Sequence, residues 1–320
     1  MNYGLVEDPR PIVGIGWSFM DTTMELSGFP EENTKMEAEL VRESPGGPVL
    51  RAMVALSRLG HPTKLISCVG DDGAGNGIVA YLLEQGVGAE FIQSASGTSH
   101  RSSVWINRLN GSRTISYAGT VPSLVGTPPG SLWDAVAIVL DGREYVASVQ
   151  ALEEAPADAL CSIDVEGDPK ENMGDLISKC GCVVIPKDML ELLADGSGHS
   201  TPLRYVEHLL GDRAHLVAVT GAGAGAICFS GDDAWTQPGF RVPTVDSNGA
   251  GDSFHAGLVY ALLNGRGPRG ATRIGAAVAA MKCAARADTG LPTQAELFSF
   301  IRDHKGEAEP ASYTKTTGEL

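Results

Sequence analysis

Residues 246–259 read D-S-N-G-A-G-D-S-F-H-A-G-L-V, and the fold can be worked out from there. Three small residues, Gly249, Ala250 and Gly251, run straight into Asp252. Behind them Phe254, Leu258, Ala261 and Leu262 recur at helical spacing, which predicts an apolar helix over 252–263. The first N–H groups of a helix have no partner within it, and the positive end of its dipole points the same way. A loop without bulky side chains lets an anion reach those donors, so the stretch predicts a phosphate site. A carboxylate at the mouth of such a site repels a resting anion and needs a reason to be there. Taking a proton from a hydroxyl that attacks the phosphate supplies one, while the amides hold the developing charge. A tight turn capping a core helix is the alternative reading.

Outward from this stretch, short apolar runs alternate with helix-length segments. Strands are predicted at 12–16, 65–69, 137–140, 160–165, 182–185, 216–219 and 226–229. Helices are predicted at 49–59, 76–85, 145–154, 202–210, 252–263 and 269–286. The strand runs are apolar throughout, which suits a parallel sheet covered by helices on both faces. In such sheets ligands sit beyond the C-terminal strand ends. Two segments, 24–42 and 99–117, are richer in Thr, Ser, Glu and Arg. The second alternates about Asn110-Gly111, a hairpin signal, and predicts a flap off the sheet edge. The tail after Asp303 lacks apolar periodicity and predicts a frayed end.

The 320 residues, 43% of them hydrophobic and 20% charged, suit a globular protein of one large α/β domain or two smaller ones. No apolar stretch approaches the ~20 residues of a membrane span, and the N-terminus lacks the regions of a signal peptide. A cytoplasmic protein is expected. A formal charge of −15 repels nucleic acid, yet leaves room for an anionic small molecule in a locally positive pocket. The six cysteines lie mostly in apolar runs, and Cys180-Gly-Cys182 lacks a second pair to hold zinc. There is no G-x-x-x-x-G-K-[ST] phosphate loop, and G-I-G at 14–16 lacks the rest of a dinucleotide fingerprint.

D-[ST]-x-G-A-G-D followed by A-G-L resembles the C-terminal signature of the ribokinase-like (PfkB) carbohydrate kinases. The resemblance spans roughly residues 10–305. It implies an α/β fold, a three-layer α/β/α sandwich with a mostly parallel sheet and a small β lid. The kinase domain would be 1–305, with lid insertions at about 20–44 and 97–119 and a flexible tail at 306–320. It also implies ATP and Mg2+, a sugar as substrate, and a homodimer through the lid. Asp252 would be the base, and Gly249, Ala250 and Gly251 the anion hole.

Other residues carry over by position. Asp21 would bind two sugar hydroxyls, although a solvated loop Asp is the alternative. Gly46 and Gly47 resemble the glycine pair whose backbone meets the sugar; Gly-Gly-Pro also starts a helix well. Where many members continue with Lys and Asn, this chain has Pro48 and Arg51. Thr220-Gly221-Ala222-Gly223-Ala224-Gly225 resembles the nucleotide loop, with Thr220, Gly223 and Gly225 toward ATP. The family's N-x-x-E magnesium element is replaced by Pro186-Lys187-Asp188-Met189. Lys187 could then neutralise phosphate charge, and Asp188, or phosphate oxygens and water, could serve the ion; no metal-ligating residue is assigned. Asp246 and Asn248 stand where some members bind a monovalent cation. The nearest branch resembles sulfofructose kinase, on G-G-P, G-A-G-D-x-F-H and A-A-x-K-C; there an Arg at the place of Arg143 holds the sulfonate. A surface Arg is the plainer reading. His255 is expected to pack under the anion hole. A nucleoside kinase of the same fold, with Trp17, Phe19 and Trp105 at the base, and a silent sugar-binding relative are the alternatives.

Overall fold

A computed structural model describes residues 8–109, 112–166 and 172–314. In chain order the strands are β1 Ile12–Ile15, β2 Phe19–Leu26, β3 Leu40–Gly46, β4 Thr63–Gly70, β5 Val87–Gly88, β6 Ile92–Ala95, β7 His100–Asn107 and β8 Arg113–Ala118. They continue as β9 Ala137–Leu140, β10 Leu160–Asp164, β11 Cys182–Pro186, β12 Leu216–Thr220, β13 Ala226–Ser230, β14 Asp233–Gln237 and β15 Ala311–Ser312. The α-helices are α1 Pro48–Arg58, α2 Gly73–Glu84, α3 Tyr145–Glu154, α4 Met173–Ser178 and α5 Lys187–Gly196. The last four are α6 Pro202–Asp212, α7 Ala250–Leu263, α8 Pro268–Cys283 and α9 Gln294–Asp303.

The main sheet runs β15-β14-β13-β12-β11-β10-β9-β1-β4-β5, with β6 also on β4. Pairing is parallel from β12 to β5 and antiparallel on the β13–β15 side. Alternate residues of a strand face opposite sides. Ile12 therefore joins one hydrophobic cluster, with Leu50, Ile78, Leu258, Val278 and Leu297 of α1, α2, α7, α8 and α9. Val13 joins the other, with Ala147, Leu176, Leu190 and Val206 of α3 to α6. These are the three layers expected. The fully buried β1, β9 and β11 cores explain why those strands read as unbroken apolar runs.

The second sheet, β3-β2-β7-β8, stands apart as the expected small one. Its β7–β8 pair is antiparallel, as the alternation predicts, while the tip residues Asn110 and Gly111 lie outside the described residues. Phe19, Asp21, Thr23 and Glu25 alternate inward along β2. That strand starts ahead of the polar segment predicted at 24–42, because Phe19 and Asp21 are already paired with β3 and β7.

Of the end predicted to be frayed, residues 311–313 are packed on the main sheet, while 315–320 lie outside the described residues. Ala311 and Ser312 pair with Thr236 and Trp235, and Tyr313 packs edge-on against Phe229.

Candidate active site

Helix α7 starts at Ala250, two residues earlier than the apolar spacing predicts, because Gly249 turns the chain with φ 81°. That left-handed backbone favours glycine, and a Cβ there would come within 2.9 Å of Arg51 Cδ. No side chain caps the helix. The N–H of Ala250 donates to the Ser247 carbonyl at 3.3 Å. Deeper in the helix, a Cβ on Gly257 would meet Gly275 Cα at 2.9 Å, so α7 and α8 approach backbone to backbone.

Asp252 is buried in the first turn of α7. Oxygens of Asp164, Glu166 and Asp252 lie within 4.8 Å of one another. Burial raises the pKa of Asp252, and the Arg51 guanidinium, with Nη1 at 3.6 Å, is the strongest influence the other way. Burial and the charge of Asp252 push Glu166 up to about 7. Asp164, at the C-terminal end of β10, is 4% exposed, and its Oδ2 has no partner among the described residues. Sequence reasoning missed both acids. The signal was D-V-E at a predicted strand end, on the side where a parallel sheet gathers ligands.

Asp21 faces the same space, but its oxygens are engaged. Oδ2 accepts from Arg51 Nη2 at 2.6 Å and Oδ1 from Ser102 Oγ at 2.5 Å. Arg51 is a third residue that sequence reasoning left without a role. It is buried, and it ties Asp21 and Asp252 to Asp288, 3.5 Å from its Nε. Its signal was a lone cation in the apolar run P-V-L-R-A-M-V-A-L. Gly47, with φ 114°, caps α1 and lines the cleft. Gly46 does not line it; it lies behind, where a Cβ would strike the Asp21 carboxylate.

Arg143 is no solvated surface residue. Its guanidinium lies 5.2 Å from the rings of Trp17 and Tyr117 and 5.8 Å from Phe19. Its backbone N–H donates to Asp141 Oδ1 at 2.9 Å, and the other Asp141 oxygen accepts from Trp17 N–H at 3.1 Å. Asp141 is wholly buried and pushed up to about 6 by burial, with Arg143 opposing. His100, stacked on Trp17 at 4.0 Å, is pushed down to about 4 by burial and by Arg143. Among the described residues no carboxylate is within ion-pair distance of Arg143, and its buried Nε has no partner.

Lys187 opens α5 with an exposed side chain, and Asp188 beside it is also exposed. Residues 221–225 turn back on themselves, Gly221 N–H donating to the Gly225 carbonyl at 2.8 Å. Gly225 has φ 88°, and a Cβ there would strike the Gln237 carbonyl. One cleft of about 2000 Å³ is lined by Asp21, Gly47, Arg51, Arg143, Asp164, Glu166, Lys187, the 220–225 loop and Gly249 to Asp252. The residues expected to act as base, anion hole, sugar contacts and nucleotide contacts therefore meet there, Gly46 excepted; Asp246, Trp17 and Trp105 do not line it. His255 packs below, with Nε2 at 2.6 Å from Ser162 Oγ and its pKa pushed down to about 3 by burial. At Asp246 the carbonyl accepts from Lys282 Nζ at 2.9 Å.

The model of the pfkB family carbohydrate kinases matches residues 17–129 and 143–294. A nucleoside kinase of Methanocaldococcus jannaschii is 24% identical over 302 residues, covering 92% of this chain and 97% of its own. The ketohexokinase of Mus musculus is 27% identical over 302 residues, covering 89% and 99%. The solved structure of a putative ribokinase II from E. coli, in complex with ATP and Mg2+, superposes with a TM-score of 0.79 at 20% identity. It matches 92% of this chain and 100% of its own.

Proposed function

The chain belongs to the pfkB family of carbohydrate kinases, and from that premise we propose that it transfers the γ-phosphoryl group of ATP to a hydroxyl of an anionic sugar. The observation that carries the reading is a single cleft lined by a carboxylate at a bare helix N-terminus and by an arginine without a carboxylate partner.

Asp252 accepts the proton of the attacking hydroxyl. The helix dipole and Arg51 favour its ionised form against the cost of burial. Amides of Gly249, Ala250 and Gly251 hold the charge that grows on the transferring group. The turn at Thr220, Gly223 and Gly225 meets the nucleotide, and Lys187 its phosphates. Asp21 and the backbone at Gly47 shape the sugar end, with Arg51 and Ser102 presenting Asp21 in one orientation and Gly46 leaving room behind its carboxylate. Arg143 holds the anionic group. A planar guanidinium offers a fork of donors, and the rings of Trp17 and Tyr117, each 5.2 Å away, confine it.

The donors present fit magnesium: Asp164 and Glu166 are hard oxygen ligands, and Asp164 Oδ2 is buried without a partner. Bound by these two acids, the ion would neutralise charge on phosphate oxygens. Val41 is exposed on β3 of the small sheet, away from the cleft lining, which supports a homodimer through the lid. Among the described residues no helix is long and apolar enough to cross a membrane. Consumption of ATP supports a cytoplasmic site of action.

ADP release with a panel of neutral ketoses, sugar acids, sulfonated or phosphorylated ketoses and nucleosides tests this. An anionic sugar is expected to turn over fastest. Preference for nucleosides would reassign Trp17 and Phe19 to base stacking. No turnover on any substrate would leave a sugar-binding relative.

A further inference from the structure

Lys282, in the last turn of α8, is 1% exposed, so its ammonium is held away from water. Burying a cation is costly unless it is paired and hydrogen-bonded. Its Nζ donates to the backbone carbonyl of Asp246 at 2.9 Å and stands 3.5 Å from Oδ1 of the same residue. Asp246 opens the loop that closes on Asp252. The remaining positions on its carboxylate are also taken. Oδ1 accepts from Asn248 N–H at 2.9 Å, and Oδ2 accepts from Arg42 Nη2 at 2.6 Å and from Ala287 N–H at 3.0 Å.

Asp246 and Asn248 stand where some members of the family bind a monovalent cation, and this donor set does not fit one. Every oxygen of Asp246 is already engaged by a donor of this chain, and two side-chain cations neutralise it. A loop of small residues also has few ways to fix its own carbonyls, and an ammonium that donates to the Asp246 carbonyl while standing beside its carboxylate supplies an anchor. Arg42 belongs to β3, and both it and Arg286 reach Glu25 of β2, at 3.6 and 3.3 Å. The same carboxylate therefore ties the loop to the small sheet.

We propose that Lys282 is a positioning residue that serves as the resident cation of the 246–252 loop, orienting its amides without any added monovalent cation. The role in turnover rests on the kinase reading; the role in holding the loop does not, and two measurements keep them apart. The first is melting of wild type, Lys282→Ala and Lys282→Met in potassium, ammonium or tetramethylammonium chloride at equal ionic strength. Wild type should melt at one temperature in all three. The alanine variant should melt lower and be raised by ammonium or potassium but not by the bulky ion, since truncation leaves room for a small cation. The methionine variant fills that room and should show no such rescue. Selective stabilisation of wild type by potassium, or an alanine variant indifferent to every salt, overturns the proposal.

The second is steady-state kinetics. Lys282→Met should lose about tenfold or more in kcat, the scale of one charge-assisted hydrogen bond, with sugar KM changed far less. An unchanged kcat overturns it too. A wild type that transfers no phosphoryl group would sink the kinase reading instead, and the melting series would still decide Lys282.

Discussion

Arg51 joins the sugar end of the cleft to the proposed base. Its guanidinium contacts Asp21 at 2.6 Å and Asp252 at 3.6 Å, with Asp288 on its third side. One buried cation thus holds three carboxylates together, and its charge opposes the effect of burial on Asp252. Removing it leaves desolvation of Asp252 less opposed, so the pKa of the base should rise. Arg51→Met is therefore expected to move the acid limb of the kcat/KM profile to higher pH and to destabilise the protein by ~3–5 kcal/mol, the cost of stranding buried charges. A pH profile superposable on wild type would show that Asp252 does not feel Arg51. At the sugar end Arg143→Ala should cost ~1.5–3 kcal/mol in kcat/KM for an anionic sugar and little for its neutral parent. Equal losses on both substrates would make Arg143 architectural. Asp252 and Arg143 were legible as residues because each stands at a strand or helix end that the apolar pattern marks. Arg51 was not: its meaning depends on Asp21 and Asp288, 30 positions before it and 237 after it, meeting at one guanidinium.

At the scale of elements, α7 and α8 set where the anion loop points. A Cβ on Gly275 would lie 2.7 Å from the Phe254 carbonyl, so the two helices cannot keep their spacing with any larger residue. Gly275→Ala is expected to destabilise by ~1–3 kcal/mol, as overpacking does, and to lower kcat by tilting the first turn of α7. A variant with wild-type melting and turnover would mean that the helix pair tolerates the shift. The buried parallel strands were readable because burial on both faces makes them apolar throughout, and β9 and α3 fall where the spacing predicts. The edge strands β14 and β15 were not, since short polar strands carry no such mark. Helix α9 was not among the predicted helices, although Thr293 and Glu296 stand at capping-box spacing and the structure closes that box. The start of α5 at Lys187 was hidden because Pro186 and its neighbours read as a loop motif.

Over the whole molecule, a formal charge of −15 coexists with a cleft that gathers acids around the proposed phosphate site. Proximity of these acids has a consequence for stability. Glu166 is pushed up from an ordinary 4.5 to about 7, chiefly by burial, so the folded state favours its protonated form. Its contribution to stability is fully present below about 4.5 and is lost as pH rises through about 7. Without magnesium, the melting temperature of wild type should fall across that window more than that of Glu166→Gln. Parallel curves would place Glu166 in contact with water rather than within the cluster. The most direct test of the function lies one residue class away, at Asp252. Asp252→Asn keeps the shape of the side chain and removes the base, so melting temperature and ATP binding should stay at wild-type levels. Turnover on the best sugar should fall by ~10²-fold or more, the usual contribution of a positioned base. An Asp252→Asn variant that turns over within a few-fold of wild type would contradict phosphoryl transfer by this site.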